Sequence, residues 1–198
     1  MNILLIIKKI IKNKFILIIC PLLFFCQPVE VINNVEFDNN TLTKINLNAN
    51  EKIINLVYEI KYVDPYIDHS MKFPPLQRVS DWLDQNINIF GSYNKLIIDI
   101  IDASITRVKK ENKNNKKYEE KIIFYYEIHF DILFVLYDDN DLILATTQVE
   151  SLHSTTSSQF ISLNEKENIL DNLILIALVD LSNKAEELLK KHMFQYIL

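Results

Sequence analysis

The sequence predicts an α+β domain with the element order β–α–β–β–β–α, in which two helices cover one face of an antiparallel sheet. The clearest evidence is the segment Glu120–Tyr137, where apolar and polar residues alternate along a long strand. Two other segments, after Pro74-Pro75 and after Ser162, carry apolar residues at helical spacing. Consecutive strands with short connections favour an antiparallel meander.

The first strand is predicted at Ile53–Val63 and ends at the turn signal Asp64-Pro65. Its buried positions are predicted to be Val57, Ile60 and Val63. Pro74-Pro75 opens the first helix, because proline fits the first turn, where its missing N–H is not needed. The apolar stripe of this helix comprises Leu76, Val79, Trp82, Leu83 and Ile87. Gly91 is expected to end the helix as a C-terminal cap.

The next three strands are predicted at Lys95–Val108, Glu120–Tyr137 and Leu142–His153. In the first of these, one face holds Ile97, Ile101 and Ile105, and the other holds Ile98 and Ile100. In the second, the inward residues are Ile128, Phe130, Ile132, Phe134 and Leu136. In the third, they are Ile143, Ala145, Thr147 and Val149. A Ser/Thr-rich loop is expected at Ser154–Ser158.

The last helix is predicted from about Asn164 to Phe194, behind a capping box in which Ser162 caps and Glu165 reaches back. Its stripe is formed by Leu170, Leu173, Ala177, Leu181, Ala185, Leu188 and His192. Further apolar residues, Ile174–Ile176 and Leu178–Val179, make the stripe broader than one helix face. This excess could form an interface with a partner or with acyl chains.

The N-terminal segment indicates export. Residues 1–14 hold four lysines and no acid, and residues 15–26 are apolar apart from Pro21. That run is too short to span a bilayer, which takes roughly 20 residues, and the basic flank is typical of a secretory signal. The predicted organisation is a signal peptide or anchor at 1–26, a tether at 27–50 and one domain at 51–198.

Cys26 is the candidate lipidation residue. Leu22 and Leu23 precede it as in a lipoprotein signal, although Phe25 is bulky where a small residue is usual. An ordinary cleavage site is hard to place, because Ala, Gly and Ser are absent between Phe15 and Asn48. An uncleaved anchor and a soluble domain released by an unusual cut are the alternatives.

Composition excludes several classes of protein. Gly91 is the single glycine, so neither a phosphate-binding loop nor a G-x-S-x-G nucleophile elbow can be built. Without residues 1–14 the chain has 17 basic and 26 acidic residues, a poor composition for nucleic-acid binding. Cys20 and Cys26 are the two cysteines, so the domain has no disulfide, thiol nucleophile or cysteine metal site.

One strand face offers a possible metal site. Glu127, His129 and Asp131 alternate on the outward face of the third strand, and such donors suit several divalent ions. A solvated sheet face is the favoured interpretation, because ligands normally converge from more than one element. Asp102 and Ser104 share a face of the preceding strand and could make cross-strand hydrogen bonds.

The loop between the first strand and the first helix offers a possible catalytic histidine. His69 lies beside Asp68 and Ser70. A structural loop is the favoured interpretation, because sequence neighbours rarely form the oriented relay that catalysis needs. No catalytic, cofactor-binding or metal-ligating residue is therefore assigned, and no cofactor is expected.

The sequence resembles a family of uncharacterised alphaproteobacterial envelope lipoproteins, over most of residues 50–195. The resemblance is carried by His69 with Phe73-Pro74-Pro75, Trp82, Gly91, Asp102-Ala103-Ser104-Ile105 and Ser162-Leu163-Asn164-Glu165. In order of elements the chain is also similar to auxiliary lipoproteins of ABC-type lipid transport and to the lipopolysaccharide-assembly lipoprotein. These resemblances imply an accessory, non-enzymatic role at the cell envelope.

The sequence is therefore compatible with three functions. The first is a periplasmic accessory protein, anchored to a membrane, that binds a protein partner in the transport or assembly of envelope lipids or lipopolysaccharide. The second is a carrier of a lipid or small apolar ligand, which requires a cavity lined by Ile, Leu and Phe. The third is a hydrolase or metal enzyme that uses His69 or His129.

Overall fold

The computed structural model of the protein describes residues 37–112 and 120–198, so Cys26 and the predicted targeting segment lie outside the described residues. The strands are β1 (Ile45–Leu47), β2 (Glu51–Leu56), β3 (Ile87–Ile89), β4 (Lys95–Glu111), β5 (Ile122–Tyr137) and β6 (Ile143–Ser158). The α-helices are α1 (Pro75–Asn86), between β2 and β3, and α2 (Leu163–His192). The predicted α+β class is confirmed.

The main sheet has the strand order β2-β4-β5-β6, and β1 pairs with β3 in a separate two-stranded sheet. Strands β4, β5 and β6 form the predicted antiparallel meander, with Ile132 of β5 opposite Ile100 and Val149. Strand β2, in contrast, lies parallel to β4, with Ile53 opposite Ile97. The sheet is therefore not wholly antiparallel, because the connection through α1 and β3 returns the chain to its starting end before β4 begins.

The core lies between one face of the main sheet and the two helices. All five predicted inward residues of β5 are fully buried. They are Ile128, Phe130, Ile132, Phe134 and Leu136. Helix α2 packs against β6 and β5, whereas α1 contributes Val79, Trp82 and Leu83 beside β4. The predicted cap of α2 is confirmed, since Ser162 accepts a hydrogen bond from the backbone N–H of Glu165 at 3.2 Å.

A β-bulge in β4 changes which side chains face the core. The register with β5 shifts between Ile100 and Asp102, so the alternation reverses at this point. Ile105 is consequently buried on the same face as Ile98 and Ile100, and its predicted grouping with Ile97 and Ile101 is wrong. A strict period of two could not anticipate the additional residue.

The first predicted strand is shorter than expected, because pairing of β2 stops at Leu56. Val57 and Val63, which the sequence placed in the core, are exposed. After Leu56 the chain continues along the same edge of β4 through separate backbone hydrogen bonds. The N–H of Tyr58 donates to Ile100 at 2.9 Å, and the N–H of Ile67 donates to Ile105 at 3.0 Å.

Gly91 does not cap α1. The helix ends at Asn86, and Ile87, predicted to lie on the helical stripe, begins β3. A Cβ atom at residue 91 would clash with Oδ1 of Asn48 and lie 2.9 Å from the backbone nitrogen of Ala49. Glycine is therefore required here because two backbone segments approach each other closely.

The end of the sheet at β6 also differs from the sequence prediction. The strand continues through Ser158, so the predicted loop at Ser154–Ser158 is wrong. Ile143, predicted to point inward, is exposed, because the register between β5 and β6 shifts at Tyr137. The inward positions Thr147 and Val149 are buried as predicted.

The segment predicted as a tether contributes to the folded domain. Leu42, Ile45, Leu47 and Ala49 are buried in the same core as the helices and the sheet. The folded domain therefore begins before residue 51, since β1 (Ile45–Leu47) already belongs to it. None of the helices in the described ranges is long and apolar enough to cross a membrane.

Asp180 connects α2 to β6. Its Oδ2 atom accepts from Ser151 Oγ at 2.8 Å and lies 3.1 Å from His153 Nε2 and 2.8 Å from Lys184 Nζ. Burial raises the pKa of Asp180, but the hydrogen bonds from Lys184, Ser151 and His153 outweigh burial, so the pKa lies below its usual range. The ionised carboxylate therefore stabilises the helix on the sheet.

We expect Asp180→Asn to lower the free energy of unfolding at pH 7. A carboxyl with a lowered pKa in the folded state stabilises above its unfolded pKa, about 3.9, and loses this contribution as the pH falls through the folded pKa. The deficit should therefore shrink below about pH 4. Urea unfolding of both proteins at pH 7 and at lower pH measures it, and a deficit that does not change with pH would contradict this role.

Candidate functional site

The structure brings two of the polar residues singled out in the sequence into contact on the outward face of the sheet. His129 of β5 and Asp102 of β4 lie on this face, and His129 Nδ1 is 3.1 Å from Asp102 Oδ2. The bulge brings them together, because it turns Asp102 outward beside β5. The cross-strand hydrogen bond predicted for Asp102 is therefore confirmed, with His129 as its partner.

The row Glu127, His129 and Asp131 does not converge on one point. Asp131 accepts hydrogen bonds from Gln148 Nε2 to both carboxylate oxygens, at 2.9 and 3.0 Å. Glu127 accepts from Tyr125 at 2.9 Å. Among residues 37–112 and 120–198, no group of three His, Cys, Asp or Glu side chains is arranged to hold a metal ion.

The three neighbours in the loop before α1 also point to different partners. His69 Nδ1 lies 3.1 Å from the carbonyl oxygen of Lys61, and Ser70 Oγ donates to the carbonyl oxygen of Ile67 at 2.7 Å. Asp68 is buried, whereas His69 and Ser70 are exposed. The structure therefore does not bring these residues together as an acid–base–nucleophile relay.

Asp68 instead forms a buried pair with Tyr58. The Tyr58 hydroxyl donates to Asp68 Oδ2 at 2.8 Å, while Asp68 Oδ1 is buried without a hydrogen-bond partner among the described residues. Burial raises the pKa of the Tyr58 phenol, and the hydrogen bond to Asp68 raises it further. The pair fixes the loop against β4, because Ile67, next to Asp68, bonds the backbone of that strand.

A pocket of about 310 Å³ lies between the loop Ser70–Phe73 and the first turns of α2. Its apolar lining residues are Phe37, Met71, Phe73, Leu163 and Leu170. Its charged lining residues are Lys72, Arg78, Lys166, Glu167 and Asp171. The pocket is at the low end of the size range of small-molecule sites, which begins at about 300 Å³.

Arg78 contacts both charged and apolar residues of the pocket lining. Its guanidinium lies 3.2 Å from Asp171 Oδ1 and stacks over the ring of Phe37, 3.7 Å from the ring centroid, and at 5.0 Å from that of Phe73. Burial lowers the pKa of Arg78, and Asp171 opposes this effect. Burial likewise raises the pKa of Asp171 against the influence of Arg78. The ion pair therefore offsets only part of the desolvation of the two groups.

Lys166 is a second cation in the pocket. Burial lowers the pKa of its ammonium group, and the nearby positive charge of Arg107 lowers it further, while Glu167 opposes the shift. The described residues provide no ion pair within 4.0 Å for Lys166. The pocket thus holds positive charge that its own carboxylates do not fully compensate.

Sequence reasoning did not find this pocket. Arg78 and Asp171 are 93 positions apart, and no local motif links them. Pro74-Pro75 and Ser162 predicted where the two helices begin, but not that these beginnings lie side by side. Trp82, which the sequence placed on the apolar stripe of the first helix, is fully buried in the core.

Comparison with known proteins shows distant structural similarity to solved structures. No protein-family model matches the chain, and no curated protein matches it either. One solved structure similar to it is a minor lipoprotein from Acinetobacter baumannii, with a TM-score of 0.38 and 10% sequence identity. The match covers 76% of this chain and 96% of the lipoprotein. A similarity at this level does not support an inference about function.

We expect Tyr58→Phe to lower the free energy of unfolding by about 1–3 kcal/mol, because it leaves the buried Asp68 carboxylate without its donor. Tyr62→Phe makes the same change on an exposed side chain and should stay within about 0.5 kcal/mol of the unchanged protein. Urea unfolding measures both variants. Equal losses would show that the Tyr58–Asp68 hydrogen bond does not stabilise the loop.

Proposed function

We propose that this protein is a non-catalytic accessory protein of the cell envelope, tethered to a membrane on the periplasmic side, which binds a protein partner. The N-terminal segment supports the tether, because its lysines and short apolar run are typical of an export signal that ends at Cys26. The resemblance to envelope lipoproteins supports a role in the transport or assembly of envelope lipids or lipopolysaccharide.

The free edge of β6 is the observation that carries partner binding. Strand β6 is 16 residues long and pairs with β5 on one side, and no strand among the described residues pairs with its other side. Such an edge presents unpaired backbone N–H and C=O groups that can pair with a strand of another protein.

One position of this edge is already covered within the domain. Lys184 of α2 donates to the carbonyl oxygen of Glu150 at 3.2 Å, which shows that the backbone of Glu150 points away from β5. Residues two and four positions further along, Leu152 and Ser154, present their backbone groups in the same direction. The part of β6 from Leu152 onward therefore presents unpaired backbone groups to a partner strand.

Helix α2 provides apolar surface beside this part of the edge. Ile176 lies one helical turn before Asp180, which contacts β6, and 56% of its surface is exposed. Val179 is 41% exposed. These residues belong to the stripe that the sequence predicted to be broader than one helix face. An added strand would meet them on one side and the exposed Leu152 on the other.

The geometry supports the enzyme alternative less well than it supports an accessory protein. Asp102 lies within 3.1 Å of His129, but the two residues are on the outward sheet face and do not line the pocket beside α2. His69 contacts a backbone carbonyl and the ring of Tyr62. A general base needs an oriented partner and a reacting group within reach, and neither histidine has both in the described residues.

We expect Ser154→Pro to abolish partner binding, because proline removes a backbone N–H from the free edge and leaves the ladder with β5 intact. Ser154→Ala keeps the N–H and is the matched control. A photoreactive residue at Ile176 should form an adduct with a discrete envelope protein in cells, and the adduct should persist in Ser154→Ala and disappear in Ser154→Pro. Thermal unfolding establishes that both variants remain folded.

The same adduct in Ser154→Pro would contradict strand addition at β6. A photoreactive residue at Lys191, an exposed site at the far end of α2, controls for random collision. An equal yield of adduct at Lys191 would also contradict the proposed surface.

We expect the mature protein, purified from its native membrane, to begin at Cys26 and to carry a diacyl or triacyl mass there. Cys26→Ala should abolish this modification. Intact-mass spectrometry measures both proteins. An unmodified chain that starts at Met1 would instead establish an uncleaved anchor and would contradict lipidation.

A further inference from the structure

The pocket between the loop Ser70–Phe73 and α2 combines apolar surface with excess positive charge. Leu170 is buried at its base, whereas 43% of Phe73 and 68% of Leu163 remain exposed at its rim. Covering exposed apolar side chains with an apolar group is favourable, because it removes apolar surface from water. The apolar lining residues are therefore suited to contact a hydrocarbon chain.

The cationic lining residues are suited to bind an anion. Lys72 and Lys166 have no carboxylate within 4.0 Å among the described residues, and the Nε atom of Arg78 is buried there without an acceptor. Of the two acids, Asp171 is already paired with Arg78, and Glu167 is exposed. With all five groups ionised the pocket carries a net positive charge on a chain whose formal net charge is −5.

The pocket includes one residue of the segment that the sequence predicted as a tether. Phe37, which forms part of its wall, is 11 positions after Cys26 in the sequence. A chain of that length spans at most about 40 Å, so a domain held at Cys26 stays close to the membrane surface. Membrane lipids are therefore the nearest source of molecules that combine a hydrocarbon chain with an anionic group.

We propose that this pocket binds an anionic amphiphile, with its phosphate or carboxylate held by Lys72, Lys166 and Arg78 and its hydrocarbon chain against Phe73 and Leu170. The volume of about 310 Å³ accommodates the anionic group and the adjoining part of the chain. Such a site lies at the surface beside α2, not in the filled layer between the helices and the sheet. It does not depend on partner binding at β6.

Photolabelling of the full chain in phosphatidylcholine vesicles tests the proposal. The probe is dodecanoate with a photoactivatable diazirine, and peptide mapping by mass spectrometry locates the label. We expect labelling at the loop Ser70–Phe73 and the first turns of α2. Dodecyl phosphate should compete with the probe, whereas dodecanol, which lacks the charge, and inorganic phosphate, which lacks the chain, should not.

The double variant Lys72→Gln/Lys166→Gln should reduce labelling at least about fivefold, because it removes two charge-assisted contacts. Lys44→Gln/Lys191→Gln makes the same change in charge at two exposed lysines outside the pocket and should label normally. Thermal unfolding shows whether each variant is folded. Equal labelling of the two double variants would overturn the proposal.

Three other results would also overturn it. Label located outside the pocket would show that the probe binds elsewhere. Equal competition by dodecanol would show that the site recognises only the hydrocarbon chain. Equal competition by inorganic phosphate would show that it recognises only the anion. The source is tested by replacing part of the phosphatidylcholine with phosphatidylglycerol. Displacement of the probe supports a membrane lipid headgroup, and undiminished labelling supports a free anionic amphiphile.

Discussion

The structure depends on the burial of one face of the central strand β5. Every second residue from Ile128 to Leu136 is fully buried under the two helices. A shift of one residue in its register would exchange this row with a row that contains His129 and Asp131, and charged groups would then enter the core. The cost of that exchange determines the register of β4 and β6 on either side and the face on which both helices pack.

The bulge in β4 follows from the same constraint. It allows Ile100 and Ile105 to face the core although they are five positions apart, and it turns Asp102 outward beside His129. The resulting Asp102–His129 pair resembles part of a catalytic site when residue types alone are considered. On the same sheet face, Glu127 bonds to Tyr125 and Asp131 bonds to Gln148, and this setting favours a structural role for the pair.

The two edges of the main sheet differ in how much of each is covered by other parts of the domain. On the β2 side, the irregular segment after Leu56 continues along β4, and the buried Tyr58–Asp68 pair holds it there. On the opposite side, β6 is covered at Glu150 by Lys184, and the strand beyond that point remains open in the described structure. The loop that ends the first edge also forms a wall of the pocket beside α2. The loop that covers the β2 side of the sheet thus also lines the pocket, whereas the edge at β6 stays available for pairing.

The sequence by itself determined the elements whose signal is local: the alternating strand β5, the start of α2 at Ser162 and the α+β class. It also determined which residues of β5 are buried, because a strand points successive side chains to opposite faces. Tertiary structure alone decided the bulge before Asp102, the close approach that requires Gly91 and the pairing of Arg78 with Asp171. Those features arise from contacts between segments distant in the chain, and periodicity within one segment carries no information about them.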